Sequence, residues 1–269
     1  MAIKFLTIEQ HQEVLKRLIT LARSVEGTRY HPAGPEYTSL MSCFLMHNLS
    51  AGEALLYLCN SFKIEWFPST VGYVIVRSMF ETEVTAHYIS QSPKDRSRQY
   101  IEFEHVLNKR DMEGCIKHRK SKNHQWREAM NLMWRDVWSP KEKDINTKYL
   151  AICSNYETVT KKGKRLSFQN WSGKSIRQMA IEVDHEEAYD IFYGELSSFT
   201  HVDVRLANKF LRIRPDGLSW SQRSRQFDVG NVFRHAASFL TCFFELFAEQ
   251  FDVWSKDEVL RCWDVEQKI

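Results

Sequence analysis

Apolar residues recur every three or four positions along most of the chain, the spacing that places them on one side of an α-helix. This pattern predicts an all-α fold: a single helical-bundle-like domain of about eight or nine helices. The longest apolar segments predict four core helices, at 37–62, 68–90, 185–211 and 228–251. Shorter or more polar helices are predicted at 8–26, 94–118 and 121–138. Two further short helices are predicted, one that includes Ile176 and one that begins after a Ser255-x-x-Glu258 cap.

The domain prediction follows from the lack of an internal repeat or a flexible linker. We expect residues 1–269 to form one all-helical domain, with its core in 37–90 and 170–251 and a polar, more variable middle at 94–168. The chain has only 10 Gly and 6 Pro. Both are scarcer than in an average protein, as expected when most of the chain is helical.

Charge and hydropathy indicate the class of environment. Lys and Arg total 37 against 34 Asp and Glu, and a net charge of +3 neither requires nor excludes nucleic acid. The N-terminal segment lacks the apolar core and cleavage site of a signal peptide. The best candidate membrane span, 236–251, is short and carries Glu245 and Glu249. We therefore expect a cytoplasmic protein with reduced cysteines and no membrane partner.

Metal-binding motifs are absent from the sequence pattern. The six cysteines form no C-x-x-C pair, and the Glu-x-x-His from Glu102 to His105 is not interpreted as half of a di-metal site. Glu83 and His87 lie four residues apart, and we interpret this spacing as unrelated to a metal site. The sequence therefore predicts no metal and no cofactor.

A polar stripe follows the predicted 185–211 helix at steps of three or four residues. Its side chains hydrogen-bond specifically, unlike the Lys and Glu of an ordinary solvated face. The stripe consists of Asp190, Tyr193, Ser197, His201, Arg205 and Asn208. Two interpretations remain open: a polar face packed on a neighbouring helix, or a ligand-binding or catalytic site.

A second constellation is Arg77 and Glu81, four residues apart in an otherwise apolar helix. A charged pair in such surroundings is partly buried and needs partners. It is either a structural ion pair that fixes helix register or an arginine that holds an anion and is oriented by Glu81. We expect Arg77 and Glu81 to face Tyr193, Ser197 and His201 across a helix interface.

Three stretches resemble a bacterial all-helical family catalogued as a domain of unknown function, number five-six-seven-seven. They are Val76-Arg-Ser-Met-Phe-Glu81, Asn170-Trp-Ser-Gly-Lys-Ser-Ile-Arg-Gln-Met-Ala180, and Tyr189-x-x-x-Tyr193-x-x-Leu196-Ser197-x-x-x-His201. The resemblance covers roughly residues 40–245. It implies a helical fold and marks Arg77, Glu81, Tyr193, Ser197 and His201 as characteristic polar positions, without an established activity.

Basic residues near aromatic ones suggest a nucleic-acid surface, although helix ends and solvated loops are also rich in such residues. The candidates are Lys117, Arg119, Lys120, Lys122, Arg212 and Arg214. Helical ribonucleases of the HEPN class use an Arg followed after four to six residues by His. The two matches, Arg98 to His105 and Arg119 to His124, are no more than random placement predicts. A HEPN-like site must therefore rest on Arg77 and His201.

Two function hypotheses follow. The first is a protein that binds or acts on a phosphate-bearing ligand such as RNA, in a HEPN-like or phage-defence role by analogy. Arg77 then holds the phosphate, His201 is the general acid or base, and Glu81, Tyr193, Ser197 and Arg205 bind or position. The second is a non-enzymatic binding protein or homo-oligomeric scaffold in which these groups are structural.

Overall fold

The computed structural model describes residues 6–24, 31–159, 165–200, 211–214, 217–220 and 226–265. In chain order its α-helices are α1 (Ile8–Arg23), α2 (Pro35–Ser61), α3 (Ser69–Ser90), α4 (Pro93–His118), α5 (His124–Met133), α6 (Glu142–Ile152), α7 (Ile176–Glu182), α8 (Glu186–Ala188), α9 (Gly194–Thr200), α10 (Gln226–Phe251) and α11 (Lys256–Arg261). Nine of the helices in the described part have seven residues or more. The predicted all-α class is confirmed.

The chain divides into two compact units. The first consists of 1–93 and 176–269, and the second, 94–175, is inserted between the two parts of the first. The inserted unit corresponds to the segment that the sequence marks as the polar middle at 94–168. The four core helices predicted from the sequence all fall in the first unit.

The core of the first unit is built around α3 and α10. Helix α3 packs on α10, α2, α7 and α9, and α10 also packs on α1. Helix α10 carries apolar residues on nearly all of its sides and is buried. Its residues Phe233, Phe243, Phe244 and Phe247 are fully buried. Gly72 of α3 is part of this close packing, because a Cβ there would lie 3.0 Å from Val232 of α10.

The second unit contains features that periodicity did not predict. The helix predicted at 121–138 is α5 followed by a π-helical turn, Trp134–Trp138, and a 3₁₀ turn, Ser139–Lys141. Pro140 sits in the first turn of that 3₁₀ segment, where its missing N–H costs no hydrogen bond, and α6 follows directly. Strands β1 (Glu157–Val159) and β2 (Arg165–Ser167) pair antiparallel.

Strand β3 (Leu211–Arg214) pairs antiparallel with β4 (Gly217–Trp220). The helix predicted at 185–211 is therefore wrong at Leu211, which is extended, and residues 201–210 lie outside the described part of the chain. The Arg214-Pro-Asp-Gly217 sequence is typical of a turn, and Arg214 and Gly217 are partners in the register of the two strands.

The Ser255 cap is confirmed: its side chain accepts from the Glu258 backbone and the Glu258 side chain accepts from Ser255 N–H. None of the helices formed by the described residues is long and apolar enough to cross a membrane. All six cysteines lie in the described part of the chain and are free.

Two glycine substitutions test the packing. Gly72→Ala adds a methyl group about 3 Å from Phe67 and Val232, and we expect it to lower the free energy of unfolding by about 1–2 kcal/mol net of the better helix propensity. Gly114→Ala is the control: nothing lies within 4 Å of its Cβ position in α4, so it should stabilise by roughly 0.5–1 kcal/mol. Urea unfolding measures both. A Gly72→Ala protein as stable as Gly114→Ala would contradict the close packing.

Candidate functional site

Arg77 and Glu81 form an ion pair on α3. Arg77 Nε donates to Glu81 Oε1 at 2.8 Å, as the spacing of four residues allows. The Arg77 side chain is only 16 % exposed and that of Glu81 34 %. The pair therefore lies at the edge of the core, where the guanidinium needs further partners.

Those partners come from the segment that follows α7. Arg77 Nη2 donates to the hydroxyl of Tyr193 at 2.8 Å, and that hydroxyl donates to Glu81 Oε1 at 2.9 Å. Arg77 Nη1 lies 3.5 Å from Ser197 Oγ, at the long end for a hydrogen bond. Arg77, Glu81 and Tyr193 thus form a closed ring of hydrogen bonds. We call these three residues and Ser197 the Arg77 cluster.

A π-helical turn places Tyr193 in this cluster. Residues Tyr189–Tyr193 are π-helical between α8 and α9. The Tyr189 and Tyr193 rings stack with centroids 4.5 Å apart, and the guanidinium carbon of Arg77 lies 4.9 Å from the Tyr193 ring centroid. Single π turns inside α-helices occur frequently at functional sites.

The same turn changes which residues share a face. Asp190, expected in the polar stripe, instead pairs with Arg177 of α7 at 3.5 Å. The prediction is wrong because a stripe with steps of three or four residues assumes an unbroken α-helix, and a π turn holds an additional residue. Tyr193 and Ser197, four residues apart across the end of the π turn, do reach Arg77.

Burial and hydrogen bonding raise the pKa values of Tyr193 and Arg77 in the cluster. Burial, and then the nearby Glu81 carboxylate, raise the pKa of Tyr193 to about 12. Burial acts to lower the pKa of Arg77, but the hydrogen bond and charge of Glu81 outweigh it, and the net shift is upward. At neutral pH the cluster therefore holds a cationic arginine and a neutral tyrosine, which is a donor rather than a base.

Several predicted site residues are not placed. His201 and Arg205 lie outside the described residues, so the convergence of His201 with Arg77 stays a prediction. Arg212 and Arg214 belong to strand β3, where only the backbone is described.

The basic residues at the end of α4 are placed. Lys117, Lys120 and Lys122 are exposed, and the nearby Trp126 is 60 % exposed. Arg119 differs from them, because its Nε donates to Asn131 Oδ1 at 3.0 Å and its guanidinium carbon lies 5.0 Å from the Trp134 ring centroid. The surface thus offers three exposed ammonium groups beside an exposed indole.

A second titratable cluster was missed by the sequence analysis. Glu83 and His87 of α3 meet His185, and the three ligand atoms lie within 4.8 Å of one another. Burial lowers the pKa of His87, while the interaction with Glu83 raises that of His185. The spacing of Glu83 and His87 was a visible signal, but their partner is about a hundred residues away along the chain.

The backbone turn at Asp184 brings His185 to this cluster. The Asp184-x-x-Glu187 spacing predicts a capping box at the start of the next helix, but the φ of Asp184, 60°, places it in the left-handed region at the end of α7. Its N–H donates to Ile181 O at 3.3 Å, and His185 N–H donates to Ala180 O at 2.8 Å. This is a Schellman motif with Asp in the position usually held by Gly. The N-cap of α8 is His185, which makes no side-chain cap bond.

The fold and the Arg77 cluster define an all-α protein in which a half-buried Arg–Glu–Tyr network joins two helical segments. Residues 40–218 match the model of the family of unknown function DUF5677, and the chain belongs to this family. The family predicted from the three motifs is thereby confirmed. The comparisons with curated proteins and with solved structures gave no match.

Tyr193→Phe tests the hydrogen-bonded ring. Removing the hydroxyl takes a partner from both Arg77 and Glu81, and bonds to charged groups contribute about 1.5–3 kcal/mol each. We expect the free energy of unfolding of the variant to be about 1–3 kcal/mol below that of the unmodified protein, as measured by urea denaturation. Tyr57→Phe is the matched control, since Tyr57 is 71 % exposed. Equal stability of the two variants would show that the ring contributes nothing.

Proposed function

We propose that this protein binds a phosphate-bearing ligand, with RNA as the ligand class, and that Arg77 holds a phosphate. The observation that carries the proposal is the fixed orientation of the Arg77 guanidinium. Glu81 and Tyr193 hold it at 2.8 Å each, within the edge of the core. An arginine already held in place loses less conformational entropy when it binds an anion. Its planar fork also suits phosphate oxygens.

The side of the guanidinium next to Ser197 is the proposed approach for the phosphate. Glu81 accepts from Nε and repels an anion there, whereas Nη1 lies 3.5 Å from the hydroxyl of Ser197, a neutral group that can itself donate to an anion. A phosphate oxygen at this position would gain a charge-assisted bond from Nη1 and a second bond from the Ser197 hydroxyl. Tyr193 then positions the arginine rather than touching the ligand.

The end of α4 supports RNA as the ligand class. Lys117, Lys120 and Lys122 supply exposed positive charge, and Trp126 supplies an exposed ring on which a base can stack. This combination is typical of surfaces that bind single-stranded nucleic acid. We assign phosphate contacts to the three lysines and stacking to Trp126.

The catalytic form of the proposal adds His201. A histidine near Arg77 would act as general acid or base on the ribose 2′-hydroxyl, in the manner of HEPN-type ribonucleases, as expected of a toxin or defence effector. This step depends on a residue outside the described part of the chain, so it is proposed from the sequence alone.

RNA binding by variants of Arg77 tests the first part. Labelled single-stranded RNA is titrated by fluorescence anisotropy at two salt concentrations. We expect Arg77→Ala to weaken binding about 10–100-fold, as loss of a bond worth about 1.5–3 kcal/mol implies. Arg77→Lys keeps the charge and should bind at an intermediate level.

Arg17→Ala is the matched control for this experiment. Arg17 also donates its Nε to a glutamate four residues away, Glu13, at 3.2 Å, but both side chains are well exposed. The control should bind RNA like the unmodified protein. Equal affinity of the folded Arg77→Ala protein, or no RNA binding by the unmodified chain, would refute the proposal.

RNA cleavage by His201→Ala tests the catalytic part separately. The unmodified protein should degrade total RNA, and the variant should lose this activity by about 100-fold or more, the contribution of a general acid or base. Gel electrophoresis of the products measures it. Cleavage at the same rate by both proteins, or by neither, rules out the enzyme while leaving RNA binding open to its own test.

The closed ring of hydrogen bonds favours a second candidate, a binding or scaffold protein in which the Arg77 cluster fixes the docking of the 176–200 segment. Large apolar side chains remain exposed on α2 and α3, including Tyr57 at 71 % and Val74 at 42 %, and would serve a homo-oligomer. In that case Arg77→Ala lowers the melting temperature, and neither RNA nor inorganic phosphate raises that of the unmodified protein.

A further inference from the structure

Glu83, His87 and His185 bring three metal-binding side chains together within the first unit. Glu83 Oε1 lies 3.2 Å from His87 Nε2 and 3.1 Å from His185 Nδ1. The Glu83 side chain is only 2 % exposed, and the two imidazoles are 23 % and 24 % exposed. A carboxylate this deeply buried must be compensated by a proton donor or a cation.

The hydrogen bonds of the chain leave this compensation incomplete. Neither short contact has hydrogen-bond geometry, and Glu83 Oε1 and His87 Nε2 are buried atoms without a hydrogen-bond partner. These two atoms lie 3.2 Å apart. A carboxylate oxygen and an imidazole nitrogen are both ordinary metal ligands.

We propose that Glu83, His87 and His185 bind one divalent transition-metal ion. A cation between the three ligand atoms would give the unpartnered atoms of Glu83 and His87 a bond. Ligands of tetrahedral zinc, with bonds of 2.0–2.2 Å, lie about 3.4 Å apart. The contacts of 3.1 and 3.2 Å to Glu83 are close to this spacing. All three ligand atoms lie within 4.8 Å of one another, so side-chain rotations that bring the two histidine nitrogens together would complete the site.

The surroundings of the ligands resemble those of established metal sites. The histidine ligands of established sites are held in orientation by the structure around them. His185 is held by the backbone turn at Asp184 rather than by a flexible loop. Two ligands on one helix at positions i and i+4, with a third from elsewhere in the chain, form a site only when the fold is complete.

The donor set selects the class of metal. Two imidazoles and one carboxylate suit Zn²⁺, Fe²⁺ or Co²⁺, whereas Mg²⁺ and Ca²⁺ prefer oxygen ligands alone. Three protein ligands leave a coordination position open, as in catalytic rather than structural zinc sites. This proposal is independent of the Arg77 cluster and of RNA.

Metal binding by the untagged full-length protein tests the proposal. Zn²⁺ is titrated calorimetrically into protein treated with a chelator, and Co²⁺ gives visible absorption bands that report nitrogen and oxygen ligands. We expect one ion per chain. His185→Gln and His87→Gln should each weaken Zn²⁺ binding by about tenfold or more, the loss that even removal of a supporting residue causes.

His124→Gln is the matched control. His124 also lies four residues from a glutamate, Glu128, with Nε2 and Oε1 3.4 Å apart, but both side chains are exposed. It should leave binding unchanged. A Glu83→Gln variant alters a buried charge and therefore tests folding as well as binding, so the variant of the partly exposed His185 decides the test. Absence of binding to the unmodified protein, or equal binding by His185→Gln, would overturn the proposal and leave a cluster that shares protons only.

Discussion

Buried charge on α3 is the constraint on which the arrangement of the first unit depends. This helix packs on α2, α7, α9 and α10, yet within about three turns it carries Arg77, Glu81, Glu83 and His87. Groups of this kind cannot enter a core without partners, because desolvation costs several kcal/mol per ion. The 176–200 segment supplies them. Its residues Tyr193 and Ser197 contact Arg77. Its residue His185 contacts Glu83.

This requirement accounts for both irregularities of that segment. The left-handed residue Asp184 turns the chain at the end of α7 so that His185 reaches Glu83, and the π turn at Tyr189–Tyr193 brings Tyr193 onto Arg77. A left-handed non-glycine residue costs about 1–3 kcal/mol. Leaving one partner of a buried ion pair unmatched costs about 3–5 kcal/mol. The backbone strain is therefore smaller than the electrostatic cost it avoids.

The difference between apolar periodicity and single backbone turns explains what could be predicted from the sequence. Helical periodicity is set by apolar burial, so three of the four predicted core helices, at 37–62, 68–90 and 228–251, agree within two residues with α2, α3 and α10. Arg77, Glu81, Tyr193 and Ser197 were found because charged or hydrogen-bonding residues at helical spacing stand out in an apolar segment. The meeting of His185 with Glu83, the pairing of β1 with β2 and the orientation of Asp190 were missed. They depend on a single turn residue or a π turn, and neither changes the average period.

The two clusters on α3 differ in one physical respect. In the Arg77 cluster the positive and negative charges balance, and the ring of donors and acceptors closes within the chain. Around Glu83 a buried carboxylate oxygen and a buried imidazole nitrogen lie 3.2 Å apart, and neither has a hydrogen-bond partner. The closed ring of the Arg77 cluster forms without a ligand, so a ligand can only add contacts at its outer side. The group formed by Glu83, His87 and His185 gains its largest stabilisation when a cation binds, so the free energy of metal binding also contributes to folding of the first unit.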